Sequence, residues 1–503
     1  MEYLLGIDLG TSSLKAVIID EHSDVFISTS VPYITKDIEN TASGFIERDF
    51  EEFWIAIKQV VSFYIQDQNI NPSQVRCIAL SVLGGAFAPL DSNFKPLRKA
   101  IIGLDMRAVK ESEFIKKEFG NDRIHAFTGQ PEIAFWPAAK LLWIKNNEPE
   151  IFRSTRYIAS VEDYLIYKLT GKFISERSIC SETLYFDIVN DRWWLDMLNF
   201  IGIDRNYLPE VKNSGEIVGN ISIVASKETG LSTETIIATG AMDVVAGAIG
   251  TGNITSSIVT EITGTVLAIG TTHRGILSKI PPEIPVNCHA FPNTFFLMPW
   301  CASGGAVLKW FNDEFFDDAK QKSTYEKSYD LMTRIASSIA PGSDGLLLLP
   351  YIVGGICPES SSEAKGVFFG IKISHTRAHF VRAILEAIGY VLNEKIELLR
   401  QIGLNMKEIR VVGGGSKSDL WNQIKADITG IPIATMTIKE ACSLGVALLA
   451  GVAVGVYSSL EDAANSKFVS IEKITRPIKE NRIIYNKCFM KYRELYKSIK
   501  HLF

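Results

Sequence analysis

Short apolar runs separated by turn residues open the chain and predict a sheet. Tyr3–Ile7 and Leu14–Ile19 are apolar, and the glycine-containing segment Asp8–Ser13 lies between them, as expected for two strands joined by a turn. Ile27–Ile34 predicts a third strand, and Arg76–Val82 predicts a buried strand. The chain therefore begins with strands that can pair.

Helical periodicity then alternates with further strands, which favours an α/β fold. After Asp49–Glu52, apolar residues recur on one face of a predicted helix: Phe53, Ile57, Val60, Val61 and Tyr64. Strands that run into glycine turns are predicted at Ile258–Thr265 and Ile409–Val412. Later helices are predicted at Asp419–Ile428, at Cys442–Val454 and from about Glu480 to Lys500.

Two of the strand-to-glycine segments resemble each other. Asp8-Leu9-Gly10-Thr11 and Ile262-Thr263-Gly264-Thr265 lie about half a chain apart, which indicates two similarly built domains with a cleft between them. We place the boundary close to Gly240–Asp243. This gives an N-terminal domain over residues 1–242 and a C-terminal domain over residues 243–503.

Composition excludes several classes of protein. Of 503 residues, 52 are basic and 57 acidic, so the net charge is −5 and no global basic field for nucleic acid exists. The longest apolar runs are shorter than a bilayer-spanning helix, so no membrane association is expected. The seven cysteines are scattered without a Cys-x-x-Cys pair, which favours reduced thiols and a cytoplasmic protein.

The segment from Asp8 to Lys15 has the chemistry of a phosphate-binding turn. Glycine allows close approach of backbone N–H groups to an anion, the hydroxyls of Thr11 and Ser12 add donors, and Lys15 adds positive charge. An acid beside a phosphate implies an intervening cation, so Asp8 points to Mg²⁺. The alternative is an ordinary hairpin turn.

Two further segments are candidates. Gly413–Ser418 follows a strand and precedes a helix, so a phosphate could lie on its backbone, although a flexible loop is the alternative and no Walker A spacing is present. Asp243 stands among small and apolar residues. On its own it fits a helix N-cap better than a general base.

Two longer segments resemble the FGGY family of carbohydrate kinases, and the resemblance spans essentially the whole chain. Phe135–Asn147 fits the first signature of that family, and Gly366–Glu386 fits the second. The order of the shorter motifs also fits the family: Asp8–Lys15, Asp105–Arg107, Asp163–Leu165, Leu169–Gly171, Asp243, Gly264-Thr265 and Gly413–Ser416. The resemblance is to the xylulokinase-like branch.

The resemblance implies two actin-like (ribonuclease H-like) domains, ATP in the cleft, Mg²⁺, and phosphorylation of a hydroxyl of a sugar, polyol or aldonate. It implies that Asp243 is the catalytic base, which reverses the N-cap interpretation, and that Asp8 helps to hold Mg²⁺. The residues implied along the nucleotide and its phosphates are Thr11, Ser12, Lys15, Gly264, Thr265, Gly304, Gly414, Gly415 and Ser418.

The sugar pocket departs from the family pattern. Xylulokinases usually carry Gln-Met-His-Gly where this chain has Val82-Leu83-Gly84-Gly85, so Gly84 replaces a sugar-contacting histidine. The pocket tyrosine and tryptophan of glycerol kinases correspond to Phe135 and Gly103, which disfavours glycerol. We expect the missing side chains at Gly84 and Gly103 to leave room for a larger substrate.

Asp105 remains a polar candidate beside Leu83, Gly84 and Phe135, although an ion pair with Arg107 explains it equally well. Xylulose, gluconate and a quorum-signal polyol are alternative substrates. An actin-like sensor or assembly protein with no kinase activity is the alternative function. The expected partner is a small-molecule sugar or polyol, and a homodimer is compatible with the assignment.

Overall fold

The computed structural model describes residues 2–20, 22, 24–33, 45–131, 133–264, 266–275, 280–316, 325–352 and 364–503, with the backbone alone at 325–327. The chain forms two compact units. One comprises Met1–Ile254, Thr272–Leu297 and Glu440–Val469, and the other comprises Thr255–Thr271, Met298–Lys439 and Ser470–Phe503. The functional boundary between residues 242 and 243 stays a prediction.

The first unit is built on a mixed sheet. Tyr3–Leu9 pairs antiparallel with Ser13–Ile19, which pairs antiparallel with Phe26–Pro32, so strands are present at the three apolar runs. Ile34, the last residue of the third predicted strand, lies outside the described residues. On its other side, Tyr3–Leu9 pairs in parallel with Val75–Val82. The sheet order is Ile217–Asn220, Ile236–Ala238, Val75–Val82, Tyr3–Leu9, Ser13–Ile19 and Phe26–Pro32, with Ala241–Met242 also paired to Val75–Val82.

Shorter strands and a set of helices complete the first unit. The remaining strands are Glu47–Arg48, Phe87–Leu90, Ala100–Ile101, Tyr157–Ser160, Ile174–Glu176, Phe186–Asp187, Arg192–Trp193, Glu210–Lys212, Val286–Cys288 and Phe295–Leu297. The helices and helical turns are Phe50–Ser62, Phe63–Asp67, Pro72–Gln74, Val109–Phe119, Asn121–Thr128, Pro137–Asn147, Pro149–Ser154, Val161–Thr170, Arg177–Cys180, Leu195–Ile201, Arg205–Tyr207, Ile223–Thr229, Asp243–Gly250, Ala441–Ala453 and Leu460–Ala464.

The second unit contains a sheet of similar pairing. Ile258–Thr263 pairs antiparallel with Leu267–His273 and in parallel with Glu408–Val412, as in the hairpin and parallel partner of the first unit. The other strands are Trp300–Cys301, Leu347–Pro350, Gly366–Phe369, Ile433–Met436 and Ile471–Thr475. The helices and helical turns are Gly305–Phe315, Tyr325–Ala336, Ser343–Gly345, Arg377–Gln401, Gly414–Lys417, Asp419–Thr429, Lys479–Ile499 and Lys500–Leu502.

The small residues that follow Asp243 have a packing role. In the helix Asp243–Gly250, a Cβ added at Gly250 would lie 1.9 Å from the carbonyl oxygen of Ala441. A Cβ at Gly445, in the helix Ala441–Ala453, would lie 1.8 Å from the carbonyl oxygen of Ala246. The two backbones therefore approach so closely that only glycine fits at these contacts, and the close contact fixes the helix that begins at Asp243.

Over the described ranges, every helix is too short or too polar to cross a bilayer.

Candidate active site

Three polar side chains lie where neighbouring strands of the first unit end. Asp8 pairs with Ser81 in the parallel register of Tyr3–Leu9 and Val75–Val82, and the Ser81 hydroxyl donates a hydrogen bond of 2.8 Å to Asp8 Oδ1. Met242 pairs with Val82 on the far side of the same strand, so Asp243 follows directly at that edge. Parallel strands present their carboxyl ends together, and ligand sites form there.

Asp243 is the first residue of the helix Asp243–Gly250, and Met242 occupies the N-cap position. The N-cap interpretation of Asp243 is therefore wrong. Asp243 Oδ1 accepts a hydrogen bond of 2.7 Å from the Val244 N–H. Asp243 is half-buried.

The carboxyls at this edge influence one another. Loss of hydration and the nearby Asp8 carboxylate raise the pKa of Asp243 to about 7. Loss of hydration also raises the pKa of Asp8, while the Ser81 hydrogen bond and the charge of Lys15 oppose the rise. A pKa near 7 is suited to a general base, because a substantial fraction of the group is ionised at neutral pH and the carboxylate still accepts a proton readily.

Two buried carboxyl groups hold the segment that precedes Asp243. Glu162 Oε1 accepts a 2.8 Å hydrogen bond from the Gly240 N–H. The Met242 N–H donates a 2.8 Å hydrogen bond to the Ser178 hydroxyl, which in turn donates to Glu176. Burial raises the pKa of Glu162 and of Glu176. The backbone on the N-terminal side of Asp243 is thus fixed by groups that do not reach solvent.

Glu182 is a further buried acid, and sequence reasoning missed it. A Cβ added at Gly84 would lie 2.5 Å from Glu182 Oε2 and 2.9 Å from Cδ, so the Glu182 carboxyl occupies the space beside Gly84. Glu182 is 3% exposed. Burial, and then the charge of Asp243, raise its pKa to about 8. The sequence offers no local signal for this contact.

Neighbouring side chains occupy the space that was expected to be empty beside Gly84 and Gly103. A Cβ at Gly103 would lie 2.4 Å from Phe135 Cζ, and one at Gly85 would lie 2.6 Å from Phe135 Cε1. The Phe135 ring therefore occupies the space of side chains at both positions, and Glu182 does so at Gly84. The expectation of a roomier pocket at Gly84 and Gly103 is wrong, because neighbouring side chains close the gap.

Lys140 holds the backbone around Gly103 and Phe135 in place. Its buried ammonium donates to the carbonyl oxygens of Ile102 at 2.9 Å, Gly103 at 2.9 Å and Phe135 at 2.6 Å. These three bonds use all the donors of a lysine. Burial lowers the Lys140 pKa to about 7. Phe135 and Gly103 are consequently held in place through their backbones.

Asp105 is engaged within the protein. Its oxygens accept from the Ile46 N–H at 2.5 Å and from the Arg107 backbone N–H, Nε and Nη2 at 2.7–2.9 Å. Arg107 also pairs with Glu47. Burial alone would raise the pKa of Asp105, but these bonds lower it overall. The geometry matches the ion-pair interpretation, and a substrate contact by Asp105 stays a prediction.

Residues of the predicted phosphate-binding turn are exposed, and hydrogen bonds to its backbone hold it in place. Thr11 and Ser12 are exposed, and Lys15 pairs with Asp8 across the hairpin. The carbonyl oxygen of Thr11 accepts a 3.0 Å hydrogen bond from Arg48. Leu83, buried at the next strand end, donates its N–H to the Leu9 carbonyl oxygen at 3.2 Å. Thr11 and Ser12 are therefore accessible to a ligand.

The second unit contains a cavity of about 640 Å³ that several predicted nucleotide residues line. Gly264, Gly414, Gly415 and Ser418 all border it. This volume is typical of a small-molecule pocket. Ser418 caps the helix Asp419–Thr429 by accepting from the Trp421 N–H, so a helix N-terminus faces the cavity region and favours negative charge there.

A close backbone contact and a buried ion pair lie next to residues that line this cavity. A Cβ at Gly304 would lie 2.3 Å from the Val266 carbonyl carbon, so only glycine fits behind the hairpin turn. Thr263, on the cavity wall, accepts a 3.0 Å hydrogen bond from Lys425, which also pairs with Glu261 at 2.9 Å. Thr265 lies outside the described residues.

Among the residues with described coordinates, no group of three or more His, Cys, Asp or Glu side chains could hold a metal by itself. Mg²⁺ is often bound by only one or two protein carboxylates, together with substrate phosphates and water. Asp8 has the matching chemistry, because its carboxyl has lost hydration and lies beside Lys15 and Ser81. A metal role for Asp8 remains a proposal.

Comparison with known proteins covers nearly the whole chain. Residues 3–250 match the N-terminal domain of the FGGY family of carbohydrate kinases, and residues 263–454 match its C-terminal domain. A xylulose kinase of Staphylococcus epidermidis is 30% identical over 100% of this chain and 98% of its own length. A gluconokinase of Bacillus subtilis is 28% identical over 91% of this chain and 89% of its own length.

Solved structures give the same result. Xylulose kinase from Lactobacillus acidophilus superimposes with a TM-score of 0.90 and 25% identity, covering 99% of both chains. Gluconate kinase from the same organism superimposes with a TM-score of 0.89 and 26% identity, covering 99% of this chain and 98% of that one. Kinases for a ketose and for an aldonate therefore share this fold.

Proposed function

Because the chain belongs to the FGGY family of carbohydrate kinases, and is thus an enzyme that phosphorylates a sugar or sugar acid with ATP, we propose that Asp243 is its general base. The carboxylate takes the proton from the acceptor hydroxyl as that oxygen forms its bond to the γ-phosphorus and ADP leaves. The products are a sugar phosphate and ADP.

The observation that carries the proposal is the carboxyl of Asp243 at the strand ends beside Asp8. Its pKa of about 7 suits a base that works at neutral pH. The bonds from Met242 to Ser178 and from Gly240 to Glu162 hold the backbone that carries it. A fixed base costs little to orient when the substrate binds.

The other candidate residues would bind either Mg²⁺ or the nucleotide. Asp8 would help to hold Mg²⁺, which neutralises phosphate charge when bound. Thr11, Ser12 and Lys15 would contact phosphate oxygens. Gly264, Thr265, Gly304, Gly414, Gly415 and Ser418 would lie along ATP. The cavity bordered by Gly264 and Gly414 supports the nucleotide part of the proposal.

A ketose, polyol or aldonate is the proposed acceptor, in keeping with the xylulose and gluconate kinases among the relatives. A homodimer and a cytoplasmic location stay predictions.

Replacement of the base provides the test. We expect Asp243→Asn to lower kcat by about 10²- to 10⁴-fold, the usual contribution of a general base. ATP affinity, measured by titration with a fluorescent nucleotide, should stay near that of the wild type. Asp67→Asn, at an exposed position, is the matched control. An Asp243→Asn enzyme with full turnover would contradict the assignment.

The same coupled ADP assay separates the kinase from an actin-like protein that only hydrolyses ATP. ADP formation that requires a sugar supports the kinase. Equal ADP formation with and without every sugar supports the alternative.

A further inference from the structure

We propose that Glu182 lines the acceptor pocket and hydrogen-bonds a hydroxyl of a neutral polyhydroxylated substrate, so that the enzyme selects ketoses or polyols over aldonates. This inference rests on the proposed kinase function, because it concerns the acceptor bound beside Asp243. Glu182 would be a specificity-determining residue for that reaction.

The position of Glu182 follows from the strand register. Val82 and Met242 are paired on adjacent parallel strands, so Gly84 and Asp243 both follow the same sheet edge. The Glu182 carboxyl fills the space that a side chain at Gly84 would occupy, with Oε2 2.5 Å from the Cβ position. Because Gly84 has no side chain, the Glu182 carboxyl can occupy this position, and it is close enough to interact electrostatically with Asp243.

The bonding state of Glu182 also points to a ligand. The side chain is 3% exposed, and Oε1 has no hydrogen-bond partner among the described residues. A buried carboxyl oxygen without a partner costs roughly 1–3 kcal/mol in a protein interior. A substrate hydroxyl can both donate to a carboxyl and accept from it, so a polyhydroxylated ligand can satisfy the group in either protonation state.

The charges around Glu182 favour a neutral ligand. Asp8 and Asp243 already place carboxyl groups at this edge. The cationic side chains of the neighbouring wall are committed: Lys140 donates to three carbonyl oxygens, and Arg107 binds Asp105 and Glu47. An aldonate would add another negative charge beside these carboxyl groups, and neither Lys140 nor Arg107 is available to pair it, which is unfavourable in a partly desolvated site.

The test compares acceptors and variants in the coupled ADP assay at saturating MgATP. Wild-type enzyme is assayed with D-xylulose, L-xylulose, D-ribulose, ribitol and D-gluconate. We expect the best neutral compound to exceed gluconate in kcat/KM by at least about tenfold. With that compound, we expect Glu182→Ala to raise KM by about tenfold or more, the loss of one buried hydrogen bond to a carboxyl group.

Conservative and steric variants make the test specific. Glu182→Gln keeps a donor and an acceptor, so its KM should stay close to that of the wild type. Gly84→Ala should raise KM as Glu182→Ala does, because its Cβ displaces the carboxyl. The double variant should be no worse than Glu182→Ala alone, since the two changes remove one contact. Glu234→Gln, at an exposed position, is the matched control. Circular dichroism verifies the fold of each variant.

The outcomes distinguish this inference from the function on which it rests. An active wild type that prefers gluconate, or a folded Glu182→Ala enzyme with unchanged KM, would overturn the role of Glu182 and leave the kinase assignment standing. A wild type that forms no sugar-dependent ADP with any compound would overturn both. Additive KM effects of Gly84→Ala and Glu182→Ala would overturn the steric account.

Discussion

Replacing Glu182 by glutamine should change how the stability of the protein depends on pH, without any substrate present. The pKa of Glu182 is about 8, against an ordinary value of 4.5 for glutamate. The folded protein therefore binds this proton more tightly than the unfolded chain does. The stability linked to this proton is fully present below about pH 4.5 and is lost as the pH rises toward 8.

The size of the effect follows from the two pKa values. Each unit of pKa difference corresponds to about 1.4 kcal/mol. Between about pH 5 and pH 8, ionisation of Glu182 should lower the free energy of unfolding by about 3 kcal/mol. Glutamine has no ionisable proton and nearly the same shape, so this part of the pH dependence should vanish in Glu182→Gln.

Urea unfolding at several pH values measures the difference. The free energy of unfolding of Glu182→Gln minus that of the wild type should rise by about 3 kcal/mol from about pH 5 to pH 8. Tryptophan fluorescence and circular dichroism should report coincident transitions if unfolding is two-state. A difference that is flat across this range, or equal to that of Glu234→Gln, would refute a buried carboxyl at Glu182.

Two further substitutions test residues that support the candidate site of the first unit and the cavity of the second unit. Ser178→Ala removes the hydroxyl that accepts a hydrogen bond from the Met242 N–H next to Asp243. We expect kcat to fall about tenfold, equivalent to about 1.4 kcal/mol, with the KM for the sugar unchanged. An unchanged kcat in steady-state assays would argue against a positioning role. Lys425→Met leaves the Glu261 carboxylate buried without its cationic partner. We expect the free energy of unfolding, measured by urea titration, to drop by about 3–5 kcal/mol. A loss of less than about 1 kcal/mol, roughly that of an exposed ion pair, would contradict a buried charge.

The strands at the site could be predicted because their pattern is local. Tyr3–Leu9, Ser13–Ile19 and Val75–Val82 are apolar runs bounded by turn residues, and the structure has a strand at each. The family signatures at Phe135–Asn147 and Gly366–Glu386 are also continuous segments, and the comparisons confirm the family they indicate. Both kinds of information are present in neighbouring residues.

The pocket wall could not be predicted because it is formed by residues distant in sequence. The sequence shows that Gly84 and Gly103 lack side chains, but it does not show which side chains occupy the vacated space. Phe135 and Glu182 come from other elements and fill it. Similarly, the N-cap rule suggested a cap at Asp243, but the register placed Met242 there.

The three acids interact electrostatically, because carboxylate charges close together raise one another's pKa. The Asp8 carboxylate contributes to the raised pKa of Asp243, and the Asp243 carboxylate contributes to that of Glu182. With a pKa of about 7 for Asp243 and about 8 for Glu182, Asp243 loses its proton at the lower pH, so the two carboxyl groups can have different roles.

Stability gives no reason for a carboxyl at position 182. Burial of Glu182 raises its pKa, so it lowers the stability of the fold as the pH rises, and its Oε1 makes no hydrogen bond with any residue that the structure describes. A buried group that is unfavourable for folding is characteristic of functional sites, where activity sets the requirement. Glycine at position 84 makes the space for this carboxyl. We therefore expect Glu182→Gln to stabilise the free enzyme above about pH 7, whereas Glu182→Ala weakens acceptor binding, a combination that a purely structural residue would not produce.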